Sequence, residues 1–141
     1  THCTENAQMT YLLYHLDVEA LCDAGRDAEL FALITGAADA GQITAAVERD
    51  RYALAARVET PPDDEVDAVD AVLERIFIST QNLETSWAGQ PAPGIVPATA
   101  RQRSTSVGDL VVAPDNGLHL CDRIGWRSLG LAPSRIAQAA A

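Results

Sequence analysis

The sequence contains no lysine, so all ten of its basic residues are arginines. Its three cysteines, Cys3, Cys22 and Cys121, are odd in number and irregularly spaced, which argues against a disulfide framework. No apolar run approaches the roughly 20 residues that a membrane-spanning helix needs. The chain also does not open with the basic region and apolar stretch of a secretory signal. We therefore expect a soluble, cytoplasmic protein with reduced thiols.

Acidic residues dominate the charge and are concentrated in the first part of the chain. The 141 residues carry a formal charge of -10, and 48% of them are hydrophobic, which is enough to bury the core of a single domain over residues 1–141. Residues 1–90 contain seventeen of the twenty acids, whereas residues 91–141 contain five arginines and three acids. This distribution repels nucleic acid from the first part and leaves the last third as the one basic surface.

Apolar patterns in the first half of the chain predict two strands with helices between them. Residues 9–16 form a short run of aromatic and large apolar residues, which is typical of a central strand. Helical spacing predicts two helices within residues 17–39 and a further helical turn at residues 43–48. Alternation predicts a second strand at residues 52–59, and the two prolines that follow end it because proline cannot donate to a ladder.

The helix predicted at residues 63–77 has the clearest pattern in the chain. Acids at its start favour a helix N-terminus through the macrodipole. One stripe is apolar and predicted to be buried: Val66, Val69, Leu73, Ile76 and Phe77. The opposite stripe is acidic and predicted to be exposed: Asp63, Asp67, Asp70 and Glu74. We therefore expect an amphipathic helix that lies on a sheet.

The strongest turn signal predicts a β-hairpin near the C-terminus. Strands at residues 107–113 and 118–122 flank Pro114-Asp115-Asn116-Gly117, in which Asn-Gly is typical of a type I′ turn. Residues 124–129 are either a third short strand or a return to the core.

Two stretches lack the pattern of a helix or a strand. Residues 84–106 contain three prolines and two glycines, and a loop of this length within one domain is often functional or mobile. The alanine-rich tail at residues 133–141 predicts either a short helix or disorder.

Four short motifs occur along the chain, and the distinctive part is the last segment, from Arg103 to Trp126. They are Val47-Glu-Arg-Asp-Arg-Tyr52, Val72-Leu-Glu-Arg-Ile-Phe77 followed by Asn82, Arg103-Ser-Thr-Ser-Val-Gly-Asp-Leu-Val-Val112, and His119-Leu-Cys-Asp122 followed by Gly125-Trp126. Together with the predicted first strand, this series resembles the YodL-like domain of plasmids, conjugative elements and phages over about residues 9–129. The resemblance implies a mobile-element context and no particular activity. The chain departs from the family pattern in its longer loop between Asn82 and Arg101 and in Trp126, which replaces the usual phenylalanine.

Two groups of residues are candidates for binding a partner. The acidic stripe of the helix at residues 63–77 can present spaced negative charge to a basic protein, and the alternative is a solvated helix face. The second group combines arginines with an indole, which can pair with phosphates and stack on a base. Its members are Arg101, Arg103, Arg123, Trp126 and Arg127. The alternative places Trp126 in the core and leaves the arginines to offset the acids.

The remaining reactive residues match no established catalytic or metal-binding pattern. The histidines and cysteines are His2, Cys3, His15, Cys22, His119 and Cys121, and because their spacing matches no zinc motif we expect no metal and no cofactor. Cys121 lies in an apolar strand, where a thiol is usually an inert core residue. Ser104, Ser106 and Asp109 have no histidine nearby in the sequence, so we expect them to satisfy backbone groups in turns. Thr1 would be a nucleophile only after self-processing.

These patterns together predict one α+β domain with a mixed or antiparallel sheet of about four strands, helices on one face and a C-terminal hairpin. The sequence has no phosphate-loop, triad or metal motif, so we do not expect an enzyme. The leading hypothesis is an interaction protein of a mobile element that acts through protein–protein contacts, for example as an acidic inhibitor of a host nucleic-acid-binding factor. The alternative is a nucleic-acid-binding accessory factor that uses the C-terminal arginines.

Overall fold

Six strands and four helices make up the described parts of the chain, residues 9–60 and 69–138 of a computed structural model. The strands are β1 Met9–Leu16, β2 Tyr52–Thr60, β3 Ile95–Pro97, β4 Leu110–Val112, β5 Gly117–Cys121 and β6 Trp126–Leu131. The helices are α1 Val18–Asp23, α2 Asp27–Ile34, α3 Ala40–Glu48 and α4 Val69–Ser79. All neighbouring strands are antiparallel, in the order β3-β2-β1-β4-β5-β6. The α+β class is therefore confirmed, with six strands where about four were predicted.

β1 lies at the centre of the sheet, as its apolar sequence predicts. It pairs with β2 along its whole length, with Met9 opposite Thr60 and Leu16 opposite Tyr52. On its other side it pairs with β4. The sheet thus consists of two halves, β1–β2–β3 and β4–β5–β6, and each half contains strands that are consecutive in the chain.

The helices cover both faces of the sheet, so the prediction that they lie on one face is wrong. Side chains of α1, α2 and α3 pack with Leu16, Leu110 and Leu120 on one face, and we call this cluster the first core. α4 packs with Leu13 and Val111 on the other face, in the second core. Successive strand residues point to opposite faces, and β4 is buried at all three positions because both faces are covered. The amphipathic pattern of a helix does not specify which face of the sheet it covers.

Two of the helices between β1 and β2 have an N-terminus that is capped by a side chain. The carboxylate of Asp17 accepts a hydrogen bond from the N–H of Ala20 at the start of α1. Asp39 and Gln42 form a capping box at the start of α3, in which each side chain accepts a hydrogen bond from the backbone N–H of the other residue. This cap explains why α3 is a full helix where the sequence predicted a single helical turn.

The predicted hairpin is present, but its turn is not of type I′. The N–H of Asn116 donates to the carbonyl of Ala113, and the N–H of Ala113 donates to the carbonyl of Gly117. Asn116 has a φ of 65°, whereas Gly117 has no positive φ and begins β5. A type I′ turn needs positive φ at both central positions. Pro114 suits the second position of the turn through its fixed φ, so the left-handed residue is Asn116 and the connection has three residues.

Two predicted regions differ from expectation in extent. α4 covers the described part of the helix predicted at residues 63–77 and continues to Ser79. The loop predicted at residues 84–106 contains β3, which pairs with β2 at the edge of the sheet. Proline and glycine around β3 conceal a strand of only three residues from sequence-based prediction.

The C-terminal region returns to the sheet. Residues 124–129 contribute to β6, which confirms the prediction of a short strand there. After Pro133 the chain forms a turn, and Ile136 is buried in the first core. The side chain of Gln138 donates to a carbonyl of β1, and residues 139–141 lie outside the described ranges. Within those ranges, no helix is both long enough and apolar enough to cross a membrane.

Candidate interaction surface

The exposed side of α4 carries two acids one helical turn apart. Asp70 and Glu74 are both exposed, as predicted. Neither carboxylate forms an ion pair within residues 9–60 and 69–138. The other two acids predicted for this face, Asp63 and Asp67, lie outside the described residues. The acidic face that the structure describes therefore consists of Asp70 and Glu74.

The buried side of α4 differs slightly from the predicted apolar stripe. Leu73 and Ile76 are buried in the second core, as predicted, and Val69 packs against it. Val72 is also buried, although the sequence analysis did not include it, and Phe77 is only half-buried. The buried stripe is centred closer to Val72 because α4 lies over the sheet at a slightly different rotation from the one predicted.

The acids of α4 act electrostatically on two residues of β5 whose side chains point to the second-core face of the sheet. Burial lowers the pKa of His119, and the carboxylates of Asp115 and Asp70 oppose this shift. Burial raises the pKa of Cys121 to about 12, and the carboxylate of Glu74 is among the negative charges that add to the increase. Coulomb interactions therefore connect the acids of α4 with side chains of β5 on this face.

β6 continues this surface beyond β5. Trp126 lies opposite Cys121, and Ser128 lies opposite His119. Trp126 is half-buried and packs against the second core, whereas Ser128 is exposed. The surface on this face therefore includes the exposed acids of α4, His119 of β5 and the first residues of β6. We call it the acidic edge and define it by five residues: Asp70, Glu74, His119, Trp126 and Ser128.

Arg127 points to the opposite face of the sheet. Its guanidinium donates to the carbonyls of Gly36 at 3.2 Å and Ala38 at 2.9 Å. It also forms an ion pair with Asp122 at 3.4 Å. Alternation along β6 explains this orientation because Trp126 precedes Arg127 and faces the second core. Arg127 and Trp126 therefore do not form the basic-aromatic surface that the sequence analysis considered.

Arg103 belongs to an internal network of polar groups, which we call the polar centre. Its guanidinium donates to the two carboxylate oxygens of Asp109 at 2.7 and 2.8 Å and to the carbonyl of Leu16 at 2.8 Å. Asp109 is fully buried and also accepts hydrogen bonds from the N–H groups of Leu16 and Ser106. Burial disfavours the charged guanidinium, but the hydrogen bonds to Asp109 outweigh it and raise the pKa of Arg103. The network joins the segment before β4 to the end of β1.

His15 and two threonines extend the polar centre. Nε2 of His15 lies 2.9 Å from Oγ1 of Thr105, which lies 2.7 Å from Oγ1 of Thr80. Burial lowers the pKa of His15 to about 4. In a catalytic triad the hydroxyl and the carboxylate contact different nitrogens of the imidazole, but here the 3.9 Å contact with Asp109 also involves Nε2. No local sequence pattern predicts this cluster because 90 positions separate His15 from Thr105.

The start of the proline-rich loop is attached to the polar centre. The indole Nε1 of Trp87, which is buried, donates to the carbonyl of Arg103 at 2.8 Å. The N–H of Trp87 donates to the side chain of Asn82 at 3.0 Å, and the N–H of Asn82 donates to Oγ of Ser104 at 2.7 Å. Ser104 therefore satisfies a backbone donor, which is the structural role predicted for it.

Arg101 and Arg123 are the exposed arginines of the group considered for nucleic-acid binding. Arg101 lines a groove of about 550 Å³ with Arg103, but the groove also contains acidic side chains. Arg123 follows β5 in the connection to β6. Since Arg103 and Arg127 donate within the fold, the predicted group does not form one basic surface.

The histidines and cysteines do not converge on a metal site in the described ranges. No group of three histidine, cysteine, aspartate or glutamate side chains there is arranged to hold a metal ion. Cys121 is buried, as expected of an inert core thiol, and Cys22 is exposed. His2, Cys3 and Thr1 lie outside the described residues.

Comparisons with known proteins found no family model, no curated protein and no solved structure that matches the chain. The resemblance to the YodL-like domain therefore depends on the sequence motifs alone.

Proposed function

We propose that the chain is a non-enzymatic interaction protein of a mobile genetic element that binds a basic protein partner in the host cytoplasm. The mobile-element context comes from the resemblance of the sequence to the YodL-like domain. The mode of binding comes from the charge and exposure of the acidic edge.

The supporting observation is that Asp70 and Glu74 are exposed and have no basic partner among the described residues. Some other acids are paired within the fold: Glu29, for example, forms ion pairs with three arginines. Asp23 and Glu48 are also exposed and form no ion pair among the described residues, but they lie on different helices, whereas Asp70 and Glu74 share one face of α4. Like charges four residues apart on a helix destabilise it by a few tenths of a kcal/mol. The repulsion within this pair therefore does not stabilise α4, whereas a basic partner would convert the repulsion into attraction.

A row of carboxylates also indicates a class of partner. Spaced negative charges on a helix resemble the phosphates of a nucleic acid, so they suit a protein whose own ligand is a phosphate backbone. We propose that this partner is a host nucleic-acid-binding factor and that the chain inhibits it by occupying its basic surface. The overall charge of -10 accelerates such an encounter, and added salt slows it.

Charge reversal tests the proposal. The variant Asp70→Arg with Glu74→Arg changes the net charge as much as the control Asp23→Arg with Glu48→Arg, whose exposed acids lie at the ends of α1 and α3. We expect wild type and control to capture the same partner from host lysate. By calorimetry with the purified partner, the α4 variant should bind at least about tenfold more weakly, because reversal replaces two attractive contacts with repulsive ones.

Labelled DNA and RNA test the alternative. The proposal fails if the α4 variant keeps its partner at unchanged affinity. It also fails if wild type binds nucleic acid with a steep salt dependence that Arg101→Ala and Arg123→Ala remove. That second result would assign the chain to nucleic-acid-binding accessory factors.

A further inference from the structure

β6 forms one edge of the sheet, and within residues 9–60 and 69–138 no strand pairs with its outer side. An exposed edge strand can accept a strand from another chain through backbone hydrogen bonds. β3, at the opposite edge, has only three residues and ends in Pro97, which has no N–H to donate. β6 has six residues and no proline. It is therefore the edge better suited to an added strand.

Trp126 and Ser128 direct their backbone groups to the outer side of β6. The N–H of Cys121 donates to the carbonyl of Asp109 at 2.8 Å, and the carbonyl of Cys121 accepts from the N–H of Gly108 at 2.9 Å. Both backbone groups of Cys121 therefore point away from Trp126, which lies opposite it in β6. Hydrogen-bonded and non-hydrogen-bonded pairs alternate in antiparallel strands. The pair of His119 and Ser128 is therefore also non-hydrogen-bonded, and Arg127 between them is the residue that bonds to β5.

The usual protections of an edge strand are weak in the first half of β6. Natural edges are blocked by charged side chains, prolines or bulges. The charged residue of β6, Arg127, extends to carbonyls on the first-core side. The bulge in the pairing with β5 comes after Ser128, near Gly130, which has a φ of 92°. Residues 126–128 are therefore a regular strand segment whose outer side is unprotected by the parts of the chain that the structure describes.

The acids of α4 lie on the same side of the sheet as the side chains at the two outward positions. Trp126 packs against the second core, to which α4 also contributes, and Ser128 lies two residues farther along β6 on the same face. A strand added to β6 would lie about 4.8 Å farther out. Its residues opposite Trp126 and Ser128 would be two apart in sequence, so both side chains would point to the α4 face. We expect the long side chain of a lysine or arginine there to extend back toward the carboxylates.

We propose that the outer side of β6 is the docking position for an extended segment of the partner, in which two basic residues are separated by one residue. The segment adds to the sheet as a seventh strand and exchanges hydrogen bonds with the backbone of Trp126 and Ser128. Its two basic side chains face Glu74 and Asp70. This inference rests on the proposed function and adds the conformation and the sequence pattern of the bound segment.

Charge argues against a second copy of the chain as the occupant. Antiparallel pairing of two β6 strands would place both α4 helices on the same face of a continuous sheet. Asp70 and Glu74 of one copy would then approach the same acids of the other. Arg127 points to the opposite face and would not separate them. Like charges brought together in this way oppose association, whereas a basic segment is attracted.

Short peptides test the docking position directly. The probe is a capped seven-residue peptide of valine and threonine with lysines at its third and fifth positions. The control peptide has the same composition with lysines at adjacent positions, so that its lysines point to opposite faces. We expect the probe to slow amide hydrogen exchange at Trp126 and Ser128, measured by NMR, and to leave Arg127 unchanged. The control peptide should bind several-fold more weakly, and N-methylation of the probe at the amides that face β6 should abolish binding.

Substitution of Ser128 separates this inference from the proposed function. Ser128→Pro removes an outward N–H without removing a bond to β5, and it should weaken probe binding by about tenfold. Ser128→Ala keeps the N–H and should bind normally. The same variants are then tested with the purified partner. If Asp70→Asn with Glu74→Gln abolishes partner binding and Ser128→Pro does not, the acidic face binds the partner but the docking position is wrong. If neither change affects binding, both proposals fail.

Two further results would overturn the inference. Equal binding of both peptides would show that alternation of the basic residues has no role. A concentration-dependent dimer of the wild type that Ser128→Pro abolishes would assign the edge to a second copy. The N-methylated probe provides the decisive comparison if Ser128→Pro does not retain the wild-type NMR spectrum.

Discussion

The guanidinium of Arg103 donates to both carboxylate oxygens of Asp109, which has no exposed surface. Asp109 in turn accepts hydrogen bonds from the backbone N–H groups of Leu16 and Ser106. One ion pair therefore fixes the end of β1 against the approach to β4. This is the place where the two halves of the sheet meet.

Loss of Arg103 should be much more damaging than loss of its exposed neighbour. Arg103→Ala leaves the buried carboxylate of Asp109 without its cation, and we expect a loss of about 3–5 kcal/mol in the free energy of unfolding. Arg101→Ala should cost at most about 0.5 kcal/mol, as expected for an exposed residue. Urea denaturation of the two variants measures both values. Equal and small losses would contradict the structural role of Arg103.

His15 should make the stability of the fold depend on pH. Its pKa in the folded chain is about 4, below the ordinary value of 6.5. Between these values the unfolded chain binds more protons, so the contribution of neutral His15 is complete above pH 6.5 and is lost as the pH falls toward 4. The unfolding free energy of the wild type should decrease between pH 7 and pH 5. In His15→Gln this decrease should be smaller than in the wild type by about 1–2 kcal/mol. An unchanged decrease would show that His15 protonates freely in the fold.

The two sides of α4 should respond differently to truncation. Leu73 is buried in the second core, and Leu73→Ala should cost about 2–5 kcal/mol as a large-to-small core substitution. Asp70 is exposed, so Asp70→Ala should change the unfolding free energy by less than about 0.5 kcal/mol. Thermal or chemical denaturation measures both. Similar effects at the two positions would mean that the orientation of α4 is wrong.

The described cysteines should differ in reactivity. Burial raises the pKa of the Cys121 thiol to about 12, so almost none of it is the nucleophilic thiolate at pH 8. Cys22 is exposed. In a Cys3→Ser background, a thiol reagent at pH 8 should label Cys22 within the folded chain and label Cys121 only after denaturant is added. Peptide mass spectrometry identifies the labelled residue, and comparable labelling of both without denaturant would contradict the burial of Cys121.

Local sequence patterns predicted the elements that depend on local interactions. The first predicted strand has the bounds of β1, Met9–Leu16, because its run of apolar residues is compact and bounded by polar sequence. The exposure of Asp70 and Glu74 followed from helical periodicity in the same way. Both are properties of neighbours in the chain, which a single sequence contains.

Interactions between distant residues could not be predicted from those patterns. The sequence predicted that Arg103 is part of a basic surface. Its internal contact with Leu16 was not predictable because it joins positions 87 apart. The face covered by α4 is also determined by long-range packing. The open side of β6 follows from strand order, which no local pattern specifies. For the acidic edge, the sequence therefore provided the charges, and the fold provided the strand beside them.

The pairing of β1 with β4 has a consequence for how the chain folds. β1 is completed at residue 16, but its partner begins only at Leu110, and Leu110, Leu118 and Leu120 are needed to complete the first core. During synthesis the first half of the sheet therefore exposes apolar surface until β4 and β5 are made, and a chain in this state tends to aggregate. The same segment carries most of the acids in the chain. We therefore expect mutual repulsion among nascent chains to oppose their aggregation until the second half of the sheet is made.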